Sequence, residues 1–113
     1  IIAATSYSWA GFKQAWKCEA AFRQELVLTL LLIPAAFWLG SSAIEVALLI
    51  GSCFVVLITE LLNSAVEAVV DLASPEQHPL AGQAKDMGSA AVFVSLTLVA
   101  LVWGACAYQR FFA

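Results

Sequence analysis

The stretch from Ile44 to Asp71, IEVALLIGSCFVVLITELLNSAVEAVVD, decides how this chain is read. From Val46 to Thr59 it carries no charge and suits an apolar solvent. Its second half then sets Glu60, Asn63, Ser64, Glu67 and Asp71 among apolar residues. At about 100° per residue, these five fall inside an arc of roughly 100° on a helix. A helix in lipid has no cause to carry such a stripe unless the stripe faces protein, water or a substrate. Carboxylates within a membrane mark functional sites by default. The helix would be about 42 Å long against a hydrocarbon core of about 30 Å. Its last turns, with Glu67 and Asp71, should therefore emerge from the membrane. Glu60 lies about 10 Å deeper than Glu67, near the inner boundary.

Two further stretches are as apolar. Nineteen uncharged residues separate Glu25 from Glu45, and twenty-three run from Met87 to Gln109. A spanning helix needs roughly 20 mostly apolar residues, so three spans are expected, at about residues 24–41, 44–71 and 84–110. The 113 residues suffice for one domain covering 1–113. The composition agrees, with 63% hydrophobic and 12% charged residues, about half the charge that covers an ordinary soluble surface. Five Lys and Arg in a chain of net charge −3 form no basic stripe, which excludes nucleic acid as a partner. The fold class expected is all-α and membrane-embedded.

Lys13, Lys17 and Arg23 precede the first span, the link Gly40 to Glu45 holds no Lys or Arg, and the second link holds Lys85. The positive-inside rule then puts the amino terminus in the cytoplasm and the carboxyl terminus outside, with Arg110 a weak exception. Ahead of the first span, over about residues 5–22, Trp9, Phe12, Trp16 and Ala20 recur at helical spacing beside Lys13 and Lys17. That pattern suits an amphipathic helix lying in the membrane surface, or equally a short helix packed on the bundle. Pro34 removes a backbone donor within the first span, which membrane helices tolerate. Cys18, Cys53 and Cys106 lack metal-site spacing and fall in separate elements, so they read as free apolar thiols.

Two more polar clusters reach the level of the stripe. Glu19, Arg23, Gln24 and Glu25 enter the first span, and Lys85, Asp86 and Ser89 enter the third. Carboxylates that leave room for waters and phosphate oxygens make a Mg²⁺ environment, and a lysine beside them is a counter-charge for phosphate. Purely structural roles would pair Glu19 with Arg23 and Lys85 with Asp86, with Asn63 and Ser64 joining helices. They leave the acidic excess unexplained.

The stretches EAAFRQE (Glu19–Glu25), ELLNSAVEAVVD (Glu60–Asp71) and AKDMGSAAV (Ala84–Val92) resemble, in register, the bacterial integral-membrane diacylglycerol kinase family. The resemblance covers almost the whole chain. It implies a homotrimeric bundle in the bacterial inner membrane, with sites shared between subunits. The activity it implies is transfer of the γ-phosphate of ATP, with Mg²⁺, to the hydroxyl of diacylglycerol, giving phosphatidic acid. Carried over by position, it makes Glu60 the general base and Glu19 and Glu67 the metal ligands. Tyr7, Glu76, Gln77, His78, Lys85 and Asp86 join those two as ATP contacts, with Asn63 and Asp71 in support. Trp9, Trp16, Arg23, Gln24, Glu25, Glu60 and Ser89 match its lipid pocket. The link around Ser74-Pro75-Glu76-Gln77-His78-Pro79 is more proline-bound than the family's best-known pattern.

Phosphoryl transfer needs chiefly alignment, charge neutralisation and a base near the acceptor. Gly82-Gln83-Ala84-Lys85 is no Walker A motif, and no HRD or DFG occurs, so neither soluble kinase class applies. Undecaprenol kinase is the alternative within the enzyme class. An ion or proton channel is the alternative outside it, but the outer halves of the spans lack the polar groups that a conducting path needs. Structural oligomerisation alone is the last alternative.

Overall fold

The computed structural model describes every residue except Pro75 and Gln77. It contains four helices: α1 (Ile2–Cys18), α2 (Ala20–Leu39), α3 (Ala43–Ala73) and α4 (Pro79–Phe112). The last three are each long and apolar enough to cross a membrane. At 1.5 Å per residue, α3 runs about 46 Å and α4 about 51 Å, so both outlast a hydrocarbon core of about 30 Å. α3 is the central element, packed on α4 and on α2, while α1 touches α2.

The helix ends differ from the sequence-based boundaries for physical reasons. The first helix ends at Cys18 because Glu19 is extended, with φ −116° and ψ 103°. Neither glycine nor proline causes this break. Instead the Arg23 guanidinium reaches back and donates to the carbonyls of Trp16 (2.8 Å) and Lys17 (3.3 Å). A cation thus satisfies carbonyls that α1 leaves open at its negative end. Ala20 accordingly belongs to α2 and not to the aromatic face of α1.

At the other end of α2 the turn is tight. A β-carbon on Gly40 would lie 2.7 Å from Val46 Cγ2 and 3.1 Å from the Ala36 carbonyl oxygen, so only glycine fits this close approach. Ser42 then caps α3, its Oγ accepting from Glu45 N–H at 3.2 Å, while Glu45 Oε1 accepts from Ser41 N–H at 3.2 Å. This is the serine–glutamate exchange of a capping box, shifted by one residue. Pro79 starts α4 at a position where its missing N–H costs nothing. His78 Nδ1 accepts from Leu80 N–H at 3.1 Å. The third span is therefore the inner part of a longer helix that already includes Lys85 and Asp86.

The body measures 54 × 36 × 22 Å, too thin to bury much. An apolar cluster of buried residues, Ala36, Leu39, Leu49 and Cys106, sits toward the end near the α2–α3 turn. Trp103 Nε1 donates to the Leu49 carbonyl at 3.2 Å and ties α4 to α3 there. Ser52 donates to Leu49 O and Ser95 to Val92 O, so these hydroxyls are satisfied within their own helices, the arrangement lipid requires. The three cysteines are free, Cys53 and Cys106 buried and Cys18 exposed.

Candidate active site

Toward the other end of α3 the polar stripe folds against α2 and α4. Glu60 is buried, with 7% of its surface exposed. Glu25 on α2, Glu19 at the α1–α2 break and Glu67 on α3 all stand close enough for their charges to act on it. No ion pair among the described residues engages any of the four. Buried carboxylates are ordinarily paired, so this concentration of unneutralised negative charge needs a cation or a proton to complete it. The fold brings Glu19, Glu25 and Glu67 within electrostatic range of Glu60.

Two clefts approach this cluster from different sides. One, of about 800 Å³, lies between α1 and the start of α2, lined by Trp9, Phe12, Trp16, Phe22, Leu26 and Leu57 with Lys13 and Lys17 among them. Leu57 lies one turn from Glu60, so apolar space reaches to within a turn of the carboxylate. The other cleft, of about 520 Å³, is polar and lined by Asp71, Ser74, Glu76, His78, Gly82 and Lys85. Here Lys85 Nζ lies 2.7 Å from Asp71 Oδ1. The charge of Glu67 also reaches Lys85, which links this cleft to the carboxylate cluster.

The local pairs considered from sequence do not form. Arg23 caps α1 rather than pairing with Glu19, and Lys85 takes Asp71 on α3 in place of its neighbour Asp86. Glu76, His78 and Lys85 share one cleft, as their grouping as nucleotide contacts requires. Tyr7, on α1, is exposed and lines neither cleft, and Asp86 is also exposed. Gln77 lies outside the described residues. Trp9 and Trp16 line the apolar cleft, whereas Arg23 and Gln24 line a separate groove with Trp16, Val27, Leu28 and Leu31. Ser89 is exposed on α4. Asn63 is half-buried and its Oδ1 faces Gly88 of α4, a contact that residue spacing gave no sign of.

The family model for prokaryotic diacylglycerol kinase matches residues 6–107, a span that includes all the carboxylates of the cluster. The chain belongs to that family. It is 56% identical over 103 residues to the diacylglycerol kinase of Pseudomonas aeruginosa, covering 91% of this chain and 84% of the relative. The diacylglycerol kinase of Haemophilus influenzae is 52% identical over 104 residues, covering 92% and 88%. That of Escherichia coli K12 is 50% identical over 111 residues, covering 98% and 91%. Membership makes the chain a kinase that acts on lipid, and its three membrane-length helices agree with a multi-pass protein of this family.

Proposed function

We propose that this chain transfers the γ-phosphoryl group of ATP to the free hydroxyl of diacylglycerol, giving phosphatidic acid, with Glu60 as general base. One observation carries the reading: Glu60 is buried, has no paired cation among the described residues, and lies along α3 between Leu57, which lines the apolar cleft, and Asp71, which lines the polar one. An interfacial lipid entering past Trp9, Trp16 and Leu57 would bring its headgroup to that carboxylate. Arg23, Gln24, Glu25 and Ser89 would complete the lipid's surroundings. As the hydroxyl oxygen attacks the γ-phosphorus, Glu60 takes its proton, and ADP leaves as the bond to the bridging oxygen breaks. General-base assistance of this kind is typically worth about 10²–10⁴-fold.

The nucleotide would occupy the polar cleft. Lys85, held by Asp71 in its absence, exchanges that carboxylate for phosphate oxygens. His78 commits Nδ1 to the α4 cap and keeps Nε2 for a ligand. Glu76, Gln77, Asp86 and Tyr7 are the remaining nucleotide contacts. Glu19 and Glu67 suit a hard divalent ion such as Mg²⁺, which takes one or two carboxylates and fills the rest of its shell with phosphates and water. When bound, it neutralises charge on the phosphates.

We take the assembly to be a homotrimer in the bacterial inner membrane, with the amino terminus cytoplasmic, the carboxyl terminus outside and α1 lying in the membrane surface. The protomer supports this: Tyr7 and Ser89 stand outside the clefts they would serve, and only 17%, 28% and 11% of the apolar windows of α2, α3 and α4 are buried within it. A second copy would bring missing contacts to each site. Two experiments test the proposal. An ADP-release assay with diacylglycerol and undecaprenol offered separately should show phosphatidic acid formation and little turnover of undecaprenol; preferred turnover of undecaprenol overturns the acceptor. Mixing inactive Glu60→Gln with inactive Lys85→Ala chains should restore part of the activity. Dead assemblies shown to contain both chains would mean that sites are not shared.

A further inference from the structure

Gly88 lies inside α4, where glycine is the poorest helix former after proline. Gly51, Gly82 and Gly104, also within long helices, could each carry a β-carbon without meeting any atom. Gly88 could not. A β-carbon there would run into Asn63 Oδ1 and come within 3.1 Å of Asn63 Cγ. That Oδ1 is also buried with no hydrogen-bond partner. An unsatisfied buried acceptor is costly, and among the described residues Asn63 Oδ1 finds no donor. The helix therefore carries a poor helix former where the neighbouring helix presents an orphaned amide oxygen.

Location gives this contact its meaning. Asn63 is one turn from Glu60 on the same face of α3. Gly88 precedes Ser89 and follows Lys85 by three residues on α4. We propose that Gly88 is a positioning residue for the reaction: its bare Cα lets α4 pack closely on Asn63, and that closeness fixes where Lys85 and Ser89 stand against the polar face of α3. A side chain at 88 must either turn the Asn63 amide away from its place one turn from Glu60 or part the two helices. Displacements of about 1 Å at a reacting centre cost on the order of 10²-fold in rate. This inference rests on the proposed role of Glu60, but its test reads the relation of Gly88 to Asn63 separately.

The test is a double-mutant cycle of Gly88→Ala and Asn63→Ala in the full-length membrane protein. It measures kcat and the apparent KM for diacylglycerol and MgATP, with thermal stability in the same detergent. Gly88→Ala should lower kcat by about 10- to 100-fold and raise the KM for diacylglycerol several-fold, leaving the KM for MgATP within about twofold of the parent. A mere loss of folded enzyme would lower kcat alone and move neither KM. In the Asn63→Ala background, Gly88→Ala should add almost nothing, since the atom it strikes is gone. Losses that multiply in the double variant would overturn the proposal, as would parental kinetics for Gly88→Ala. Should Gly88→Ala fail to accumulate, the double variant must accumulate and match Asn63→Ala; its failure too would show that the obstacle is not Asn63. Residual full activity of Glu60→Gln would refute the base assignment and leave the cycle's result standing.

Discussion

Two of the glutamates on helix α3, Glu45 and Glu60, stand in opposite surroundings. Glu45, in its first turn, is committed: Oε1 accepts from Ser41 N–H while the Glu45 backbone is capped by Ser42. Around it the protomer is finished, with Leu49 and Cys106 buried and Trp103 clamped to Leu49 O. Arg110 lies 4.6 Å over the Trp38 ring close by. Glu60, four turns on, is more deeply buried yet has no cation partner among the described residues and three carboxylates near it. Asn63 Oδ1 beside it is unsatisfied as well. A folded chain leaves buried polar groups unpaired where something else will pair them. One end of α3 is committed to its own packing, and the other, on the proposed reading, is completed by substrate.

That contrast can be broken by substitution along α3. The largest effect is expected at Glu60→Gln, an exchange of nearly equal size. Steady-state kinetics should show kcat lower by about 10²–10⁴-fold, with a melting temperature in detergent no lower than the parent's. Loss of stability with intact turnover would place Glu60 in the same class as Glu45. Next comes Glu67→Gln. Removing one charge-assisted contact is worth about 1.5 kcal/mol or more, so the KM for MgATP should rise about tenfold, together with the Mg²⁺ concentration for half-maximal rate. A Mg²⁺ titration with unchanged midpoint and full turnover removes Glu67 from the metal site.

Asp71→Asn sharpens the comparison from the edge of the polar cleft. Its pair with Lys85 is largely solvent-exposed, and such pairs contribute little. Freeing Lys85 should therefore lower the KM for MgATP by no more than about fivefold. A rise instead would make Asp71 a direct part of the nucleotide site. The smallest kinetic effect belongs to the finished end. Ser42→Ala should leave kcat and both KM values at parental levels while costing about 0.5–2 kcal/mol of stability through the lost cap. Thermal unfolding and turnover on one preparation check both halves of that statement.

Much of this division was legible in the residues. Helical arithmetic alone put Glu60, Asn63, Ser64, Glu67 and Asp71 on one face, and charge spacing alone marked the three long apolar helices. What escaped depended on partners far away in the chain. The break at Glu19 has no Gly or Pro to announce it, because its cause is the Arg23 guanidinium returning to α1. Pro79 and Gly82 look like loop residues, although Pro79 is a helix start and Gly82 sits inside the helix. The purely structural alternative pairs Lys85 with its neighbour Asp86, but adjacent helical residues point some 100° apart, and Lys85 instead meets Asp71 on the facing helix. Gly88 is one small residue among six glycines until Asn63 is seen against it.

The central claim is that Glu60 moves a proton and does not hold the nucleotide or its metal. Binding of MgATP to Glu60→Gln, measured directly by equilibrium titration beside the parent and Glu60→Asp, tests it without relying on turnover. The account predicts near-parental affinity in both variants, together with a kcat for Glu60→Asp between that of Glu60→Gln and the parent, since aspartate keeps the base but withdraws it by one methylene. Loss of MgATP binding in Glu60→Gln would contradict it and make Glu60 a ligand of the metal.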